Sequence, residues 1–163
     1  MTFRLSEFLP YQLAYVSERV SQRLSTEYRE SHGISAAEWR VLANLKFLGT
    51  ASVKDIQTFT NLEKSRVSRA VGRLEASGLV EKRVSSKDAR LLEIALTQRG
   101  SQTFHEILPR ATELEATLLQ ELSQTQRSAF FDVIEHFHRV LDEDPDANPR
   151  VETTRPEDEA PEN

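Results

Sequence analysis

The chain has 163 residues, 38% of them hydrophobic and 29% charged, a length that supports one hydrophobic core of ordinary size and not two large ones. Its formal net charge of −5 is unevenly divided: Lys64 to Arg90 holds eight basic and three acidic residues, whereas Asp142 to Asn163 holds nine acidic and two basic. Cysteine is absent, which excludes disulfides, thiolate metal sites and thiol-based redox sensing, and no signal sequence or long apolar run is present, so a soluble cytoplasmic protein without a membrane partner is expected.

Residues from about Ser6 to Ser31 are predicted to form a long helix, because Leu9, Leu13, Val16, Val20 and Leu24 recur at 3–4 spacing and Gly33 can end it. Ser35-Ala36-Ala37-Glu38 has the spacing of a capping box and opens a second helix through Trp39, Val41, Leu42 and Leu45 to Gly49. Ser52-Val53-Lys54-Asp55 repeats the pattern with Asp for Glu and opens a short helix with Val53, Ile56 and Phe59 on its apolar face. Thr60-Asn61-Leu62 reads as a turn into the helix from Glu63 to Glu75. There Val67, Val71 and Leu74 form one stripe, and Arg66, Arg69 and Arg73 recur with the same period on another face. Ser65 and Ser68 add hydroxyls near its N-terminal end, and Ser77-Gly78 closes it. Two alternating runs, Leu79 to Val84 and Leu92 to Leu96, frame the basic loop Ser85 to Arg90 and read as a hairpin. Thr97 to about Glu121 is predicted helical, with Leu108, Leu114 and Leu118 apolar and a kink at Pro109. A third capping box, Ser123 to Gln126, opens the last helix, with Phe130, Ile134, Phe137 and Leu141 on one stripe.

The order of a short helix, a tight turn, an arginine-studded helix and a basic hairpin is that of a winged helix-turn-helix, with double-stranded DNA as its partner. Arginine suits the second helix because its planar fork bonds guanine bidentately or holds a phosphate. Lys64-Ser65-Arg66-Val67-Ser68-Arg69, Arg73-Leu74-Glu75-Ala76-Ser77-Gly78-Leu79-Val80 and Asp88-Ala89-Arg90 followed by Leu96-Thr97 and Gly100 resemble the MarR family of bacterial winged-helix regulators, a likeness running from about Leu5 to about Leu141. The resemblance implies that Arg90 enters a minor groove, that Asp88 orients the wing, and that the terminal helices interlock into a homodimer.

The expected architecture is therefore mainly α: an N-terminal dimerisation helix (1–34), a winged helix-turn-helix with a two-stranded β wing (35–100), C-terminal dimerisation helices (101–142) and a disordered acidic tail (143–163). The apolar surface of the terminal helices is explained by a dimer interface or by completion of the monomer's own core; the two-fold dimer suits a palindromic operator. The tail is read as a solubilising end or as a competitor with DNA for the basic face. The expected DNA contacts are Lys64, Ser65, Arg66, Ser68, Arg69, Arg73, Lys87 and Arg90. The function expected is that of a transcriptional regulator, a repressor in type.

Phe8-Leu9-Pro10-Tyr11 and Glu38-Trp39-Arg40-Val41-Leu42 also resemble a subgroup of the family that responds to aromatic acids or their thioesters. That likeness gives Arg40 the role of pairing a ligand carboxylate, with Tyr11, Tyr15, Trp39 and Phe47 as aromatic walls. The competing reading makes Trp39 a core residue and pairs Arg40 with a neighbour. A metal-responsive regulator is the alternative within the fold: Asp132 and His136 lie four apart, but His136 and His138 point apart and no three-ligand set has convincing spacing. No phosphate-binding glycine loop, nucleophile elbow or HExxH helix is present, so neither an enzyme nor a cofactor is expected. A winged helix used only as a protein-interaction module is the remaining reading, and it gives no account of five cations on one predicted surface.

Overall fold

The computed structural model describes residues 3–85, 91–148 and 150. A 3-10 turn at Leu5–Glu7 precedes helices α1 (Leu9–His32) and α2 (Ala36–Leu48), a two-residue strand β1 (Thr50–Ala51), helices α3 (Val53–Thr60) and α4 (Lys64–Ala76), strands β2 (Val80–Val84) and β3 (Leu92–Leu96), and helices α5 (Gln98–Leu119) and α6 (Gln124–Asp142). Compact packing divides the chain into a unit up to Ala111 and a unit from Thr112 onward.

All three capping boxes form. Ser35, Ser52 and Ser123 accept from the backbone N–H three residues on, and Glu38, Asp55 and Gln126 reach back to the capping residue's own N–H. Each box satisfies two backbone donors that a helix start leaves orphaned. At the other ends, Gly33 takes the left-handed conformation after α1, and Asn61 does the same at φ 50° after α3, which turns the chain tightly into α4.

The first unit is built around Val41, Leu42 and Leu45 of α2, Ile56 of α3, Val67, Val71 and Leu74 of α4, Ile94 of β3, Ile107 of α5 and Tyr28 of α1, all essentially buried. Trp39 is the middle ring of a stack: its centroid lies 5.6 Å from Tyr28 and 5.4 Å from Phe104, nearly parallel to both. The stack ties α1, α2 and α5 together. On α5 the buried positions are Gly100, Thr103 and Ile107, with Phe104 and Ala111 packed against the core. The helix continues through Pro109.

The sheet has three strands in the order β1-β3-β2, all antiparallel. The expected hairpin is present, with Val80 opposite Leu96 and Val84 opposite Leu92. A third strand, unforeseen in the sequence, pairs Thr50 with Ala95 and Ala51 with Ile94, so β3 is the central strand. The Leu-Thr-x-x-Gly motif has a physical reason. The Thr97 hydroxyl donates to Gly78 O at 2.7 Å and accepts from Gly100 N at 3.0 Å, while Thr97 N donates to Leu79 O. A Cβ on Gly100 would lie 1.9 Å from Leu79 O. Only glycine lets the start of α5 pack so closely on the turn that follows α4.

The first half of α1 packs little within its unit: Leu9, Leu13, Tyr15 and Val16 are exposed. The second unit has an equally uncovered helix. No residue of α6 is buried, and Phe130, Phe131, Val133, Val140 and Leu141 are exposed. Beyond α6, Asp144 N donates to Leu141 O, and Arg150 holds Glu135 through both guanidinium nitrogens at 2.7 and 2.8 Å. The remainder of the acidic tail lies outside the described residues.

Candidate nucleic-acid interface

At about 100° per residue, Val67, Ala70, Val71 and Leu74 occupy one sector of α4, and all four are buried. Ser65, Arg69 and Gly72 point the opposite way. Arg66 and Arg73 border the buried sector on one side, Lys64 and Ser68 on the other. All seven of these residues are exposed. The helix is thus anchored by one face and presents cations, hydroxyls and a bare glycine on the other.

Arg66, Arg69 and Arg73 line a cleft of about 230 Å³ against the start of α2 at Ser35 to Glu38. Arg69 Nε donates to Ser65 O at 3.3 Å, a contact within its own helix. Arg73 Nη1 stands 3.7 Å from Glu38 Oε1, an ion pair too long for a hydrogen bond, and its side chain is 71% exposed. Arg66 has no hydrogen-bond or ion-pair partner among the described residues. The surface therefore carries three guanidiniums and one opposing carboxylate, and that carboxylate is already engaged by Ser35 N at 2.8 Å.

Beside α4, Lys82 of β2 pairs with Glu75 at 2.5 Å and Arg83 pairs with Glu81. Ser85 N donates to Leu91 O at 2.9 Å where the described part of the hairpin ends. The expected wing residues Lys87, Asp88 and Arg90 lie outside the described residues.

Residues 32–91, from the end of α1 through the wing, match the model of the MarR family. That segment, which holds α2 to α4 and β2, is similar to the MarR family. The chain is 29% identical over 114 residues to YwoH, an uncharacterised helix-turn-helix transcriptional regulator of Bacillus subtilis, an alignment spanning 70% of this chain and 82% of YwoH. It is 30% identical over 100 residues to the transcriptional repressor MdtR of the same organism, spanning 61% of this chain and 64% of MdtR. Among solved structures, a MarR/EmrR family transcriptional regulator from Acinetobacter sp. ADP1 superposes with a TM-score of 0.78 at 26% identity, over 86% of this chain and 99% of the other.

The residues expected to hold an aromatic acid sit in three settings. Trp39 is committed to the ring stack within the core. Arg40 Nη2 donates to Ser21 Oγ at 3.3 Å. Tyr11 and Tyr15 stack on each other at 5.8 Å on the exposed part of α1. The Tyr28 hydroxyl, pushed above its ordinary value by burial, feels Arg40 and Arg29 as a smaller opposing pull. Among the described residues no three His, Cys, Asp or Glu side chains converge as metal ligands.

A second cleft, of about 320 Å³, opens between the end of α1, the C-terminal half of α4 and the start of α5. Arg73 borders it as well as the first cleft, and Arg99 and Thr103 line it from α5. On its rim His32 Nε2 donates to Glu106 Oε2 at 3.0 Å, and His32 Nδ1 contacts Ser31 Oγ at 2.7 Å. The hydrogen bond from His32, and then that from Gln102, hold the Glu106 carboxyl below the usual carboxylate value. Periodicity carries no signal for this cleft, because its walls come from three separate stretches, residues 31–38, 73–79 and 99–103.

Proposed function

We propose that the chain is a DNA-binding transcriptional repressor that reads a palindromic operator as a homodimer and is released by a small-molecule effector. The observation that carries the reading is the division of α4 into a buried apolar sector and an exposed face bearing Ser65, Arg66, Ser68, Arg69 and Arg73. A helix held in this way can enter a major groove, where each good bidentate arginine–guanine pair discriminates by about 1–3 kcal/mol. On this reading Ser65, Arg66, Ser68 and Arg69 face bases or phosphates, Lys64 and Arg73 hold phosphate, and Arg90 with Lys87 makes the wing contact.

The dimer is supported by the uncovered apolar residues of α1 and, separately, of α6. A second copy covering both would remove them from water, and two-fold symmetry would set two copies of α4 about one helical turn, ~10 bp, apart. An effector acts through its differential affinity for two spacings of these helices, only one of which matches the operator. The test is fluorescence-anisotropy titration of the DNA upstream of the coding region at several salt concentrations, with the protein's mass measured in the same buffer. Specific binding by a dimer, falling steeply with salt at a slope of about −0.9 per phosphate neutralised, is the expected result. A monomeric mass at micromolar concentration overturns the dimer. Genome-wide selection that yields no enriched sequence overturns specific DNA recognition.

A further inference from the structure

On the reading of α4 as the DNA-facing helix, on which this inference rests, we propose that Glu38 is a positioning residue for DNA binding. Fixed by the cap of α2, its carboxylate holds the Arg73 guanidinium at the edge of α4 in place for a phosphate.

The charge on Glu38 is what asks for a role. Glu38 is 6% exposed. Its Oε2 accepts from Ser35 N at 2.8 Å and closes the capping box of α2. That bond needs no charge. Gln126 makes the same bond at the start of α6, where its Oε1 accepts from Ser123 N at 2.8 Å, and either residue type serves at this position of a capping box. Taking a carboxylate out of water costs far more than taking out a neutral amide of the same shape. A glutamate at this buried position is therefore explained by a cation and not by the helix start.

That cation is Arg73. Its Nη1 lies 3.7 Å from Glu38 Oε1, and the two side chains are 71% and 8% exposed. Glu38 and Arg73 each line both clefts, the one in front of α4 and the one behind it. Among the described residues Glu38 is the one carboxylate in either lining. It faces the guanidiniums of Arg66, Arg69 and Arg73 in front, and those of Arg73 and Arg99 behind. Like charge pushes the Arg73 guanidinium away from Arg66, Arg69 and Arg99, and Glu38 alone in these linings attracts it. The cap keeps Glu38 from following Arg73 outward, so the pair has one fixed end and one end in solvent. At 3.7 Å the contact is an ion pair without a hydrogen bond. It leaves the guanidinium fork available to the two oxygens of a phosphate.

A side chain already held near its bound position loses less freedom when DNA arrives. The same carboxylate also repels phosphate. Positioning outweighs repulsion because the carboxylate is almost wholly buried, whereas the guanidinium it holds stands in solvent.

The test is a double-mutant cycle of Glu38→Gln and Arg73→Ala in the full chain. Binding to the duplex upstream of the coding region and to a scrambled duplex of the same composition is read by anisotropy at several salt concentrations, and each variant is unfolded thermally. Glu38→Gln is expected to leave Tm unchanged or raised, to weaken both duplexes about two- to tenfold, and to add nothing in the Arg73→Ala background. Tighter binding or unchanged binding in Glu38→Gln overturns the proposal, and so does equal weakening with and without Arg73, which would place the effect in the start of α2. A measurement on the wild-type protein alone covers the case in which Glu38→Gln folds poorly. The heteronuclear NOE of Arg73 Nε is expected to exceed that of Arg66 Nε, and equal values overturn the tether. If the wild-type protein binds neither duplex while Glu38→Gln lowers the Arg73 value to that of Arg66, the DNA reading and the phosphate role fail together and the tether stands.

Discussion

Gly72 lies inside α4, where glycine is about 1 kcal/mol less favourable than alanine because the unfolded backbone loses more freedom. A Cβ built there meets nothing within 4 Å, so core packing does not demand it. It sits instead between Ser68, Arg69 and Arg73 on the outward face, where a bare backbone allows close approach of another molecule. Gly72→Ala is therefore expected to stabilise the protein by about 0.8–1 kcal/mol, a rise in Tm of about 2–4 °C for a chain of this size. The same substitution is expected to weaken operator binding, because a methyl forced into a packed interface costs about 1–3 kcal/mol, or roughly five- to 150-fold in Kd. Thermal unfolding at fixed protein concentration gives the first quantity and anisotropy gives the second. Raised stability with unchanged DNA affinity would refute the placement of Gly72 against DNA; lowered stability would refute the account of the helix itself.

Gly100→Ala should act in the opposite sense on stability, since its Cβ collides with Leu79 O; a loss of about 1–3 kcal/mol or more in chemical denaturation checks it. Ser35→Ala, which removes the cap of α2, should cost about 1 kcal/mol in the same assay. Arg69→Ala should cost about 1–3 kcal/mol of operator affinity and relax preference at one base position, whereas Arg73→Ala should weaken all sequences alike and lower the salt slope by about one; binding to single-base operator variants distinguishes them. Because Glu106 is held below its ordinary value, its pairing with His32 stabilises the fold above that value and is lost as pH falls through the lowered one. The difference in Tm between wild type and Glu106→Gln should be present above the usual carboxylate range and close as pH falls below it; a difference that persists in acid would show that the pair is not its source.

The elements governed by local chemistry were legible in the sequence. Ser-x-x-acid or Ser-x-x-Gln spacings marked three helix starts, and the two stripes of α4 separated its buried from its exposed face. What depended on distant partners was not. Strand β1 is two residues long and exists only because β3 is beside it. The inward stripe of α5 runs through Gly100, Thr103 and Ile107, and glycine and threonine carry no apolar signal. Trp39 and Arg40 adjoin in sequence, yet one enters the ring stack and the other turns to Ser21. The Arg73–Glu38 contact spans 35 positions, beyond the reach of any periodicity.

Strand β1 has a mechanical corollary. With β3 gripped by β2 on one edge and by β1 on the other, the root of the wing is clamped to the segment that joins α2 to α3. Tilting the hairpin alone would break backbone hydrogen bonds on one side or the other, so a gentle force moves wing, α3 and α4 as one lever arm. Amide protons of Ile94 and Ala95 should accordingly exchange together with those of the helical core rather than with a fraying ribbon.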